Sequence, residues 1–391
     1  MNILLLCPQY GNQNNANGLC ARNLSKELQK EHNVFCISND YSSGEGDKTK
    51  FYSVDEPYFD KLTQKKNKNL FYKLWFYIYA AFRYPIVFFT YPNVSPIVNI
   101  KKYRLAKKII KKENIDMVVG FYRPFEGVDV VRKLSKKMPH VKTVAYYLDN
   151  LLDGNNGKTV KNIKYRRGIN YLNKSIKTID KIILPPSEKP ISDNSFISEF
   201  PMFIDYPIVS NGFKFEDNFI NITYIGSLDE NNRNPTKVLE LLSRCKADKP
   251  LKVHIWGNVT AKIEKIISEY KNLVEYHGYV NNENVQYIYS ISDFLLNISN
   301  KVTYKMMPSK IFQMFSTGKH ILNYCEVEYD VTKSYFCGYP GTIELNNDTI
   351  VEELSNIITK FLGKGVRVNK DLYLKCTPNF IVNNILLNGF E

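Results

Sequence analysis

In this chain of 391 residues, the groups best suited to hold a diphosphate lie where apolar runs end. The run 294–298 passes into Ser299 and Asn300, and Met307, Pro308, Ser309 and Lys310 then open an amphipathic stretch over 309–317 that stops at Gly318. A helix N-terminus outside the carboxyl end of a strand offers free N–H groups to an anion, and open α/β sheets bind ligands there. Ser309 and Lys310 suit that task, although an N-cap serine and a solvated lysine would each account for one of them alone. Upstream, Gly226 and Ser227 end the run 222–225, and Arg233, Asn234 and Pro235 precede the next helical stretch. Gly226 permits close backbone approach, and the Arg233 guanidinium meets a phosphate with a planar fork of donors. Trp256 with Gly257 and Asn258, and Gly278 with Tyr279 and Val280, close two further runs in the same manner. Four strand ends thus carry small or polar binding-type residues.

The first half offers a second set. A polar loop from Gln9, Tyr10 and Gly11 to Asn17 and Gly18 joins the first strand to the first helix. Tyr122 and Arg123 follow one later strand, and Asp149 and Asn150 follow another. Asp149 has the chemistry to position or deprotonate a hydroxyl. No histidine has a comparable claim, since His140 precedes a strand, His254 lies within one and His320 opens one. Glu326, Glu328 and Asp330 read as a solvated loop. No Asp-x-Asp lies between apolar strands, and the seven cysteines include no C-x-x-C pair or Cys/His cluster at zinc-ligand spacing, so no metal and no cofactor is expected. The thiols read as reduced and mostly buried, as in a cytoplasmic protein.

Short apolar runs that alternate with amphipathic stretches predict parallel sheets covered by helices. Strands are expected over 3–7, 34–38, 117–121, 143–147 and 181–184, and again over 222–225, 252–256, 274–277, 294–298 and 320–323. Helices are expected over 18–30, 104–113, 127–137 and 161–177, then over 236–246, 260–271, 284–290, 309–317 and 349–362. The join near 200–217 holds Pro201, Pro207 and Gly212 and lacks helical periodicity, so two α/β domains follow, 1–210 and 211–376. An apolar helical stripe over 377–391 comes after the second is complete; by pattern alone it fits the second domain or a return to the first.

The net charge of +14 is not shared between these halves. Residues 1–210 carry 33 basic and 19 acidic side chains, and residues 211–391 carry 20 of each, so the first half holds the whole excess. Within it, 61–112 holds 13 Lys and Arg, no Asp or Glu, and 12 aromatic residues. Such a mixture suits the boundary between anionic headgroups and acyl chains, and peripheral attachment through 61–112 to the inner face of the cell membrane is the expectation. Lysines on a solvated helix face over an aromatic core are the plainer alternative. No nucleic-acid motif is present, and that class leaves the strand ends of the second half unexplained. Residues 74–100 are too interrupted, by Arg83, Pro85, Pro92 and Pro96, to span a bilayer, and residues 3–7 before Pro8 read as a buried strand rather than a secretory signal.

Taken together, Gly226 and Ser227, Arg233 to Pro235, Trp256 and Gly257, Gly278 to Val280, and the stretch from Asn297 through Pro308, Ser309, Lys310 and Gln313 to Leu322 resemble the donor domain of a GT-B glycosyltransferase. The likeness is to family 4 and to bacterial capsule and cell-surface polysaccharide enzymes, and it covers about 110 residues. It implies two facing Rossmann-like domains with a cleft between them, a nucleotide sugar held by 211–376, an acceptor held by 1–210, and a C-terminal crossover helix over 377–391. It implies that Arg233 and Lys310 neutralise the donor diphosphate, and that Gly226, Ser227, Trp256, Gly257, Asn300, Pro308 and Ser309 line its site. Tyr279 and Val280 would lie by the base, expected to be the uracil of a UDP-sugar, and Tyr10, Gly11, Asn17, Gly18 and Arg123 would meet a saccharide or lipid-diphosphate-linked acceptor. Many family members place two glutamates eight positions apart near this helix; here Lys305 and Gln313 stand in those places, and Gln313 can still hydrogen-bond a ribose diol. The reaction implied is metal-independent glycosyl transfer with retention, whereas an inverting enzyme would use Asp149 as base. A catalytically silent partner subunit and a sugar-nucleotide 2-epimerase remain the alternatives of the same fold.

Overall fold

The computed structural model describes the chain except for residues 12–15, 42–45, 56–57, 123–124, 150–158, 202–211, 305, 329, 337, 369 and 391. Two compact units form: one from Met1–Pro201 and Pro378–Glu391, the other from Met202–Thr377. In the first, strands β1 (Asn2–Leu6), β3 (Asn33–Ser38), β5 (Lys50–Ser53), β6 (Met117–Tyr122), β7 (Lys142–Tyr147), β8 (Lys181–Leu184) and β9 (Ser195–Ile197) build a sheet in the order β5-β3-β1-β6-β7-β8-β9. Two short strands, β2 (Gln9–Tyr10) and β4 (Asp40–Tyr41), pair beside it. In the second unit, β10 (Ile220–Ile225), β11 (Leu251–Trp256), β12 (Val274–Gly278), β13 (Phe294–Ile298), β14 (His320–Tyr324) and β15 (Thr342–Leu345) take the order β12-β11-β10-β13-β14-β15. Neighbouring strands run parallel throughout both sheets.

Parallel sheets are covered on both faces, which is why their central strands read as unbroken apolar runs. Leu4, Val118, Ala145 and Ile182 in the first unit, and Ile222, Val253, Phe294 and Leu322 in the second, are fully buried. Each of the larger of these side chains contributes about 1.5–3 kcal/mol by leaving water. The covering helices show the matching stripe. Glu126–Lys137 buries Val128, Val130, Val131 and Leu134, and it carries Glu126 and Asp129 in its first turn and Lys136 and Lys137 in its last, as the helix dipole favours.

The order of each sheet reverses beside its first strand, at β1/β6 in one unit and β10/β13 in the other. Such a switch point splays the following loops apart and leaves a crevice at the carboxyl ends of the strands. The C-terminal segment belongs to the first unit. Its helix Pro378–Ile381 continues as a π-helix, Val382–Leu386, and Asn379 Nδ2 donates to Glu27 Oε1 at 2.9 Å. Lys181 Nζ donates to the carbonyls of Ile385 at 2.9 Å, Leu386 at 3.3 Å and also Asn388, which satisfies the open end of that helix.

Candidate functional site

The loops after β10 and β13 are laced together across the switch point of the second unit. Asp229 Oδ1 accepts from the backbone N–H of Asn231 (2.9 Å) and Asn232 (2.8 Å), and the Asp229 N–H donates to the Arg233 carbonyl (3.1 Å), which closes a tight turn. Asn232 then bridges the two loops. Its Oδ1 accepts from the N–H of Val302 (2.9 Å) and Thr303 (3.1 Å), and its Nδ2 donates to Asn300 Oδ1 (3.0 Å). Arg233 Nε donates to the same Asn300 Oδ1 at 2.7 Å, and Asn300 Nδ2 donates to the Met306 carbonyl at 3.1 Å. Arg233 and Asn300, 67 residues apart in sequence, are thereby held as one unit.

Lys310 completes the group. Burial, with Arg233 beside it as the second cause, pushes its pKa down to about 8. Among the described residues no carboxylate forms an ion pair with Arg233 or Lys310. Two half-buried cations that repel each other, with no counter-charge among the described residues, would be stabilised by an anion, because an anion offsets a cost the fold otherwise bears. The helix that follows is Lys310–Phe315, six residues, shorter than the 309–317 expected. Ser309 caps none of its N–H groups with its side chain. The cations therefore outweigh the short helix in attracting negative charge. One turn on, the Gln313 side chain is buried, and its amide makes no hydrogen bond among the described residues.

The glycines that end the strands have a structural cause. A Cβ on Gly226 would meet the Tyr224 hydroxyl at 2.6 Å, and one on Gly257, whose φ is +125°, would meet the Gly226 carbonyl oxygen at 2.0 Å. Bare backbone lets β10 and β11 finish in contact, with Gly226 N–H donating to the Trp256 carbonyl at 2.8 Å. The Trp256 ring is buried, stacked on His277 with centroids 4.2 Å apart. Tyr279 and Val280 follow β12, with Tyr279 exposed.

In the first unit, the switch point gathers Asn17, Tyr122 and Asp149. Asn17 lies in the helix Ala16–Leu28, and its Nδ2 is 3.4 Å from both the Tyr122 carbonyl and Asp149 Oδ2. Gly11 adopts φ +70° and donates its N–H to the Gly18 carbonyl at 3.0 Å, which folds the loop onto that helix. Tyr10 differs from the expectation: it is fully buried, with its hydroxyl bonded to Asp47 Oδ2 (2.9 Å) and close to Thr49 Oγ1 (3.1 Å). Its phenol holds the loop from inside and presents nothing to an acceptor.

No family model matches the sequence, and no curated protein does. Solved structures match nearly end to end. HepE from Anabaena, in complex with UDP and glucose, gives a TM-score of 0.55 at 11% identity over 98% of this chain and 95% of that one. Sucrose-phosphate synthase from Thermosynechococcus elongatus gives 0.60 at 11% identity over 100% and 98%. WaaG, a glycosyltransferase involved in lipopolysaccharide biosynthesis, gives 0.52 at 12% over 97% and 94%. This is the GT-B fold. At such identities the fold is what these proteins share with the chain.

Within this GT-B chain, Arg233, Asn300 and Lys310 are gathered at one switch point, and Asn17, Gly18 and Asp149 at the other. Arg123, Asn150 and Lys305 lie outside the described residues. Asp229, Asn232 and Thr303 were not among the expected site residues, although an Asp followed closely by two Asn is a signal of turn chemistry. Asp330 differs from the expected solvated loop. That residue is 2% exposed, and its Oδ1 accepts from the Thr332 N–H at 2.7 Å at the start of the helix Val331–Phe336, so it is a buried cap rather than a solvated acid. The segment 61–112 forms the helices Leu70–Thr90 and Pro96–Glu113. Leu70–Thr90 buries none of its residues, and Leu70 (81%), Phe71 (70%), Phe82 (75%) and Phe89 (73%) are exposed. The aromatics are thus not core, although Lys102 is buried. Among the described residues, no helix is long and apolar enough to cross a membrane.

Proposed function

We propose that this protein is a glycosyltransferase that moves a sugar from a UDP-sugar to a hydroxyl of a lipid-diphosphate-linked saccharide during surface polysaccharide synthesis. The observation that carries the reading is the Arg233–Lys310 pair, uncompensated among the described residues and set at the β10/β13 switch point. Cleaving the bond from C1 of the sugar to the diphosphate oxygen puts negative charge on the leaving UDP. Prearranged cations stabilise that charge as it develops, since they need not reorganise. Asn300 fixes the Arg233 guanidinium, Ser309 and the Gly226–Ser227 backbone border the phosphates, and the unpaired Gln313 amide takes the ribose diol. In a retaining reaction the departing phosphate accepts the acceptor proton on the face where the new bond forms, and Asp149, with Asn17, orients the acceptor hydroxyl.

The acceptor's lipid sets the place of work. A helix with no buried side chain and exposed Phe71, Phe82 and Phe89 needs a cover of its own, and the neighbouring Lys101, Arg104, Lys108 and Lys111 supply the charge for anionic headgroups. A groove of about 390 Å³ lined by Phe59, Phe82, Arg83, Ile86 and Ile97 gives that surface depth. The test is incubation with UDP-sugars, following UDP release, in the wild type and in Arg233→Ala and Lys310→Ala. Release lost in both variants supports the assignment, and wild-type binding unchanged in both refutes it. Flotation with anionic and neutral vesicles at low salt tests the membrane step, which fails if anionic vesicles do not retain the protein.

A further inference from the structure

We propose that His254, Glu275 and His277 form a site for one divalent zinc-type cation, Zn²⁺ in the first place, on the β11–β12 side of the second sheet. The three ligand atoms lie within 4.8 Å of one another. His254 Nδ1 is 3.0 Å from His277 Nε2 and 3.6 Å from Glu275 Oε2. With Zn–N and Zn–O bonds of about 2.0–2.2 Å, ligands of a tetrahedral ion stand a little over 3 Å apart, so small side-chain adjustments admit the ion.

A local irregularity builds the cluster. Along the β11–β12 ladder His254 faces Glu275, but the register slips after Ile255 so that Trp256 faces Gly278, which leaves His277 as the extra residue of a bulge. Bulges re-aim side chains, and here the His277 imidazole comes to lie beside both His254 and the Trp256 ring. Both rings are then fixed. Trp256 stacks on His277 at an interplanar angle of 13°, and Phe215 packs 4.3 Å from the His254 ring.

The neighbours of His254 also select its tautomer. Asn221 Nδ2 donates to the carbonyls of Glu216 (3.1 Å) and Phe219 (3.3 Å), so the amide oxygen must be the atom 3.0 Å from His254 Nε2. Nε2 therefore carries the proton, and the Nδ1 lone pair points into the cluster. A carbonyl-type acceptor on the far nitrogen of a ligating histidine is the usual outer-shell support of a metal site. Glu275 is exposed, which leaves the fourth position open to water and the ion an entry path. Two neutral or anionic ligand types and a mixed N/O set favour zinc-type cations over magnesium or calcium.

The test uses the untagged full chain, loaded with Zn²⁺, dialysed against metal-free buffer and analysed for bound metal, with Co²⁺ loading read by its visible d–d bands. One ion per chain is expected, together with a rise in melting temperature on Zn²⁺ addition. His277→Gln and Glu275→Gln, both at positions not fully buried and both checked by circular dichroism for wild-type folding, should abolish stoichiometric retention. Asn221→Ala should weaken binding by about 10–100-fold. No retained ion in the wild type, or equal retention in His277→Gln, overturns the proposal and leaves the two rings as a simple hydrogen-bonded pair.

Discussion

The two halves of this chain use positive charge in opposite ways. In the second unit, whose basic and acidic residues balance at 20 each from 211 onward, two cations are half-buried at a strand-order reversal, one of them, Arg233, positioned through Asn300 and Asn232. In the first unit the excess of 14 is spread largely over exposed helix surface around a helix that buries nothing. Net charge and binding chemistry are therefore separate quantities. A desolvated cation acts strongly at short range, while an exposed one is screened and acts only in numbers.

That contrast can be broken first at the cations themselves. Arg233→Ala or Lys310→Ala should lower kcat/KM for UDP-sugar turnover by about 10²–10³-fold, the scale of losing one preorganised charge partner. Lys108→Gln with Lys111→Gln, on the exposed surface, should change UDP-sugar affinity by less than about twofold, because screening mutes distant exposed charges. Calorimetric titration of both sets would expose any failure of the contrast. Next in size, Gly257→Ala forces a Cβ onto the Gly226 carbonyl at a φ that disfavours side chains, and should cost about 2–4 kcal/mol in urea unfolding. An unchanged midpoint would show that β10 and β11 need no bare backbone where they end.

The same Lys108→Gln and Lys111→Gln changes should each weaken binding to anionic vesicles by about 1 kcal/mol, an effect that high salt removes. Vesicle partition indifferent to both charge and salt would leave the exposed helix without its proposed cover. The last effect concerns pH. Lys310 is held down at about 8, so it is an ammonium at pH 7 and loses its charge as pH rises through that value. UDP-sugar affinity should therefore weaken toward pH 9, by at most about tenfold per pH unit. Lys310→Arg, which stays charged, should flatten the profile. A profile equally steep in that variant would assign the titration to another group.

Legibility followed burial. All ten strands expected from sequence are present within a residue or two, and all but the edge strand β12 lie inside their sheets, where a parallel strand must be apolar on both faces. The strands that escaped are the two-residue β2 and β4 and the edge strands β5, β9 and β15, none of the five buried throughout, and Lys50–Ser53 and Thr342–Leu345 carry no continuous apolar run. The helix Leu70–Thr90 escaped for the converse reason: it is apolar all round, contains Pro85 and has no polar face to give it a period. Asp330 misled because an acidic run says nothing of which acid the chain folds inward.

The two parallel sheets, the small and polar residues at the strand ends and the confinement of charge to one segment could be read from the chain alone. Each depends on local pattern or on composition, which a single chain displays in order. Which residues meet depends on how the strands assemble. Arg233 reaches Asn300 because β10 and β13 are neighbours at a reversal of strand order, and His254 reaches His277 because one residue slips in the register between two strands. Pairing and register are properties of the assembled sheet, set by the summed burial of both strands, and no single strand encodes them alone.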